Sequence, residues 1–322
     1  MKHTIRLLMI ALAAMPAFTP PVFAQQYPTR PIRMIISFPP GGSTDLLART
    51  VSQKLQDSLG QTIIIENRPG GGTNIGAEVA AKAAPDGYTL YLGIDATLAM
   101  NPWLPSKPAF DPVKDFAAIS NLAVQCVIIV GSTKAPGKTL AELIVHAKAN
   151  PGKLSFGASN VLTQMIGEQL KSLSGTNMLY VPYQGAPQQT QALIAGDIDL
   201  AVVGVLPYAN FIRDGKMIGL ATTGAKREGR LPDMPTVREV GYPGLEGCNW
   251  LALFAPAGTP PTIIGRLNAE VGKVLAIPEV RQRLSSSGLE PAPNTPEELA
   301  AMVKADLAKW GPIIKAVGIR KD

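Results

Sequence analysis

The chain has 322 residues, 46% of them hydrophobic and 17% charged. That suits a soluble globular protein with one large or two medium cores and excludes a disordered chain. The formal net charge of +6 comes without any Lys/Arg run or interleaved aromatics, so no nucleic-acid partner is expected.

In chain order, the first segment reads as a secretory signal peptide over 1–24. Lys2 and Arg6 give a basic start, Leu7 to Phe18 is almost wholly apolar, and Val22-Phe23-Ala24 offers a cleavage site before Gln25. The apolar stretch is too short to span a bilayer, though an uncleaved anchor is the alternative reading. No cysteine follows the cleavage site, which argues against a lipoprotein anchor. Cleavage after Ala24 removes two positive charges and no negative ones, taking +6 to +4. The expected location is a bacterial periplasm.

Residues 32–38 (IRMIISF) then read as a short apolar strand. The turn PPGGSTD follows. Leu47, Val51, Leu55 and Leu59 mark one helix face starting at Thr44 or Asp45, with Gly60 just past its end. TIIIE, NIGAEVAAKAA and PDGYTLYLG continue as strand, helix, turn and strand, a βαβαβ order that implies a parallel sheet. CVIIV (126–130), KLSF, MLYV, IDLAVVG and KMIGLAT read as strands of a second α/β unit. TLAELIVHAKAN, MIGEQLKSLSG (165–175), PQQTQALIAG and PYANFIRDG read as its helices. LALFAPAG is a returning strand. Two helices close the chain, one lined by Ile264, Leu267, Val271 and Val274, the other opened by the capping box Thr295-Pro296-Glu297-Glu298. The pattern predicts two α/β lobes, 25–125 with 250–322 and 126–249, linked by two crossings and able to hinge on a ligand. Cys126 and Cys248 either pair in the oxidising compartment or are two small buried residues.

Ligands of open α/β sheets sit at the carboxyl ends of strands. Four loops qualify: 39–44, 95–97, 157–162 and 182–185. In PPGGSTD the glycines let the backbone approach a ligand, and the helix start offers N–H groups at the positive end of its dipole. A carboxylate or phosphate fits there without any arginine, helped by the Ser43 and Thr44 hydroxyls. Asp45, which would repel an anion beside it, is expected to bond to loop amides or to face a cationic group, or else to be a plain helix cap. The loop lacks the Gly-Lys-Ser/Thr of a P-loop and the spaced glycines of a dinucleotide fingerprint. His146 is the one histidine left after export, and no HExxH, CxxC or Gly-x-Ser-x-Gly pattern occurs. Binding without catalysis, metal or cofactor is therefore the expectation.

The segments YPTRPIRMIISFPPGGSTDLLAR, IIIENRPGGGTNIGAEVAAKAAPDGYTLYLG, NPWL, FDPVKDFAAIS, VPYQGAPQQTQALIAGDIDL and LFAPAGTP together resemble the tripartite tricarboxylate transporter receptors, the Bug or TctC-like periplasmic solute-binding proteins. The resemblance spans nearly all of the chain after residue 24. It implies a two-lobed type II periplasmic binding fold, each lobe a mostly parallel sheet flanked by helices, monomeric, closing on a small carboxylate and delivering it to membrane permease subunits. A periplasmic sensor feeding a signalling partner, or an enzyme on the same fold, are the alternatives. By resemblance the ligand falls to Phe38, Gly41, Gly42, Ser43, Thr44 and Asp45 of the first lobe and to Tyr183 and Gly185 of VPYQG; Thr97, Ser159, Asn160 and Gly204 join them as candidates by their place at the remaining strand ends. Trp250, near the second crossing, is either a pocket wall or a core aromatic. This chain departs from the family in FGASNVLTQM, where Ser159-Asn160-Val161-Leu162 and Gln164 replace a glycine-rich run and a histidine. It departs again at Gly204, where a polar residue is usual. Both changes make the second half of the cradle less polar and imply an altered ligand, one with an apolar or aromatic body, or weaker carboxylate binding.

Overall fold

The computed structural model describes residues 27–317; the expected signal peptide and its cleavage site lie outside the described residues. Strand β1 (Ile32–Ile36) is the centre of a parallel trio, flanked by β2 (Ile63–Asn67) and β3 (Thr89–Ile94). Its side chains are buried except at Arg33, whose guanidinium pairs across the ladder with Glu66. Helix α1 (Ser43–Leu59) covers this trio with Leu47, Val51, Leu55 and Leu59, the four-residue apolar spacing of the sequence. Gly60 ends it in the left-handed conformation that glycine adopts without strain. Helix α2 (Asn74–Ala81) follows β2.

Strand β4 (Phe116–Ser132) is longer than the CVIIV run suggested, because 116–125 pairs as well. Its first part, through Cys126, lies antiparallel to β9 (Cys248–Pro256), which in turn borders β3. From Val127 onward it pairs with β7 (Leu200–Gly204), and from Ile128 with β8 (Met217–Thr222). Register shifts between Ala118 and Ser120, Asn121 and Ala123, and Ile129 and Val130 let so long a strand bend from one half of the molecule into the other. The second half adds β5 (Ser155–Ala158) beside β7, and β6 (Leu179–Pro182) at the edge. A short β10 (Glu290–Pro291) borders the first part of β4. Cys126 and Cys248 face each other in the β4–β9 register and form a disulfide.

Helices α3 (Leu140–Ala149), α4 (Val161–Ser174), α5 (Ala186–Ala195) and α6 (Val205–Arg213) belong to the second half. Helix α4 begins at Val161, four residues before the apolar pattern suggested. Asn160 caps it, accepting the Thr163 N–H at 3.1 Å. Among the described residues three helices close the chain rather than two: α7 (Pro261–Ala276), α8 (Pro278–Ser285) and α9 (Pro296–Val317). Pro278 cannot continue α7, so it opens a new helix. Among the described residues no helix is long and apolar enough to cross a membrane.

The 95–97 segment is core rather than loop. A π-helical turn (Ala96–Met100) follows β3, and α9 packs over it. Burial drives the Asp95 carboxyl well above its ordinary range; its bond from the Ala96 N–H opposes this and the nearby Asp306 adds to it. A carboxyl whose folded pKa is raised loses stability as pH rises from its unfolded value toward the folded one. Asp95→Asn keeps an acceptor for Ala96 and removes that cost. Its melting temperature is expected to exceed the parent's at pH 7 and to converge on it near pH 4, as read by calorimetry at both pH values.

Candidate functional site

Four helix N-termini point at one gap between the halves. Helix α1 starts after Gly42, and its first intrahelical amide is Leu46 N–H to Gly42 O at 3.0 Å. The Ser43, Thr44 and Asp45 amides therefore have no partner within the helix. On the facing side Thr163 Oγ1 accepts the Ser159 and Asn160 N–H groups, both at 3.2 Å, and the Asn160 side chain takes Thr163. That network fixes the loop and leaves the Val161 and Leu162 amides at the mouth of α4. Helices α5 and α6 begin at the same gap, after Gly185 and Gly204.

Between them lies a narrow cavity of about 70 Å³. Its floor is the β4–β9 pair, where Gln125 stands opposite Asn249. Alternation along the strands puts Gln125, Val127 and Asn249 on the cavity side and turns Cys126 and Cys248 to the other face. The disulfide thus clamps the floor from behind. Gln125 Nε2 donates to Ser43 Oγ at 2.7 Å, tying the floor to the mouth of α1. Phe38, Ile94, Leu162, Val203 and Leu206 supply apolar wall. A wider chamber of about 340 Å³ adjoins, sharing Ser159 and Asn160 and walled by Tyr180, Tyr183 and Gln164. Among the described residues no Lys, Arg, Asp or Glu lines either space. Helix dipoles and main-chain amides supply the positive potential instead. Among the described residues there is no cluster of His, Cys, Asp and Glu with the makings of a metal centre.

The predicted residues divide as follows. Phe38, Gly42, Ser43, Thr44, Ser159, Asn160 and Gly204 line the narrow cavity, and Tyr183 lines the chamber. Gly185 sits where the halves touch; a Cβ there would stand 2.6 Å from Pro39 Cγ. Gly204 leaves room for the Gln125 amide, since its own Cβ would stand 3.0 Å from Ser43 Oγ and 3.1 Å from Gln125. The polar group missing at 204 is thus replaced by one from β4.

Four predicted residues are placed elsewhere. Gly41 donates its N–H to Asp45 Oδ2 at 3.1 Å and faces that carboxylate instead of the cavity. Asp45 is buried and outside the cavity lining, bonded to Arg49 and Asn67. Burial would raise its pKa, but the Arg49 guanidinium, the Gly41 amide and Asn67 outweigh it and hold it below the usual range. The carboxylate thus stays ionised beside the α1 N-terminus, with the Arg49 guanidinium as its counter-ion. Thr97 is fully buried and shares a hydrogen bond with Thr73 at 2.6 Å. Trp250 falls on the strand face opposite Asn249 and is the core aromatic of the two readings. It packs on Phe254 and donates Nε1–H to Asp306 at 2.7 Å.

Sequence reasoning missed Gln125, Gln189 and Asn249. The two floor residues had a legible signal, each being a polar residue beside a cysteine at a lobe crossing. Gln189 had none beyond its place one turn into a helix that begins at a candidate loop.

Comparison with known proteins matches residues 47–319 to the tripartite tricarboxylate transporter family receptor. The UPF0065 protein of the gbd 5′ region of Cupriavidus necator is 36% identical over 317 residues, covering 97% of this chain and 94% of that protein. Protein BugT of Bordetella pertussis is 32% identical, covering 93% of each. Among solved structures, Rpa4515 of R. palustris with adipate superposes with a TM-score of 0.87 at 31% identity, over 91% of this chain and 99% of that one. MatC of Rhodopseudomonas palustris with bound malate gives 0.83 at 31%, over 89% and 100%.

Proposed function

The chain belongs to the tripartite tricarboxylate transporter receptor family and has its two-lobed periplasmic binding fold, and from that premise we propose that it is an exported receptor for a small carboxylate. It closes its cleft on the acid and hands it to the membrane subunits of a tripartite permease. On this reading the lobes are 25–125 with 250–322 and 126–249, a division supported at its first crossing by the change of β4's partners after Cys126. One observation carries the reading: helix N-termini from both lobes converge on a cavity that, among the described residues, no charged side chain lines. Such a site favours an anion, and closure replaces the water around its carboxylate with oriented amides. Each charge-assisted hydrogen bond contributes on the order of 1.5–3 kcal/mol, and micromolar affinity needs about 8 kcal/mol. A few such bonds with the apolar wall suffice. The adipate and malate complexes of the two superposed relatives have ligands of this class.

A thermal-shift screen of mono-, di- and tricarboxylates against the mature chain, followed by calorimetry, tests the reading. At least one acid is expected to raise the melting temperature and bind with unchanged mass after incubation. Failure of every acid to stabilise the protein, or turnover of the acid that does, contradicts it.

The contact between Gly185 and Pro39 gives a further expectation. Gly185 has an extended backbone that any residue adopts, so Gly185→Ala folds without strain. Its methyl group props the lobes apart against Pro39. Overpacking of this kind costs about 1–3 kcal/mol, so affinity for the best acid should fall roughly tenfold in calorimetry while the unliganded melting temperature holds.

A further inference from the structure

We propose that the acid held in this cleft carries, besides its carboxylate, an uncharged group that both donates and accepts hydrogen bonds, an alcohol hydroxyl or a carboxamide, recognised by Gln189 and Asn249. This rests on the carboxylate reading above and narrows it.

Gln189, in the first turn of α5, is 1% exposed, and Asn249, on β9, is 7% exposed. Both line the narrow cavity. Gln189 Nε2 and Asn249 Oδ1 are buried without a partner among the described residues. Buried amides are almost always bonded, because each unpaired group forfeits its hydration with nothing in return. Gln125 and Asn160, the other side-chain amides of the cavity, show the contrast, since Gln125 is spent on Ser43 Oγ and Asn160 on the Thr163 N–H.

The chemistry of the missing partner follows from what the two amides offer. As they stand in the structure, Gln189 offers an unpaired donor and Asn249 an unpaired acceptor. A second carboxylate only accepts, so it satisfies the Gln189 amide N–H and leaves the Asn249 carbonyl unpaired. An ammonium only donates and leaves the reverse. An alkyl chain satisfies neither. A hydroxyl or a carboxamide does both at once. Asn249 lies on the floor shared by the lobes and Gln189 on the wall of the second, so a group bonded to both is held only when the cleft is shut around it.

The test is calorimetric titration of the mature chain with three matched pairs: malate and succinate, lactate and propionate, succinamate and succinate. Where a pair binds, the member with the hydroxyl or amide is expected to bind at least about tenfold more tightly, the difference one unpaired buried group implies. In the near-isosteric Gln189→Met/Asn249→Leu double variant the two members are expected to bind within about twofold of each other. Its unliganded melting temperature should be equal or higher, since the orphaned groups are gone, and each single variant is read on its own as a check on folding. Equal or tighter binding of the plain acid in every pair, or a preference that survives in the double variant, overturns the proposal while leaving the receptor reading intact. If no carboxylate stabilises the protein, the receptor reading falls and takes this inference with it.

Discussion

Gly42→Asp is expected to abolish ligand-induced stabilisation while leaving the unliganded fold intact. Gly42 is the N-cap of α1 with an ordinary extended backbone, and a Cβ there meets nothing within 4 Å. Aspartate is a favoured N-cap residue, so the fold should hold or gain slightly. Its carboxylate would occupy the Ser43–Asp45 amides in place of the ligand and add a negative charge to the cradle. Two like charges about 4 Å apart repel by about 4 kcal/mol at an effective dielectric constant near 20, roughly three orders of magnitude in affinity. Gly42→Asn, neutral and of the same shape, should retain more binding than the aspartate variant. Unchanged affinity of Gly42→Asp in calorimetry would place the carboxylate elsewhere.

Removing the Cys126–Cys248 bond is expected to lower global stability by about 3–4 kcal/mol. The two residues are 122 apart in sequence, and closing a loop of that length removes about 5 kcal/mol of unfolded-chain entropy by the loop-closure relation, while native bridges usually contribute about 2–4. Cys248 is exposed, so a reductant reaches the bond. Denaturant unfolding of the parent with and without dithiothreitol, and of Cys126→Ser/Cys248→Ala, should give the same loss. A change under about 1 kcal/mol in both would show that the β4–β9 ladder holds the crossing unaided. Because the bridge lies behind the floor and touches none of the cavity, ligand affinity should fall much less than stability.

Much of the fold was legible because its signals are local. The apolar spacing of α1, the left-handed glycine after it and the capping box before α9 are read within a few residues. The misreadings share a physical cause in tertiary pairing. The 116–125 stretch has no clean alternation of its own and becomes strand only because β9 and β10 border it. Helix α4 starts early because Asn160 and Thr163 cap each other, a side-chain event that outweighs the modest helix preference of Val161. The loop after β1 was visible in the sequence because one helix start carries its own donors. The rest of the cavity was not. Gln125, Gln189 and Asn249 come from three distant segments and meet only through the β4–β9 register and the packing of α5. Trp250 shows the same limit in reverse: its position near a crossing was readable, but which strand face it occupied depended on that register.

The central claim is that an organic acid is held by the main-chain amides at the mouths of α1 and α4. A crystal structure of the mature chain with the tightest acid from the screen tests it most directly. The account predicts carboxylate oxygens at roughly 2.7–3.2 Å from the amide nitrogens of residues 43–45 and 161–162, with the lobes closed over them. A carboxylate bound to an arginine or lysine outside the cleft, with these amides facing only water, would contradict it.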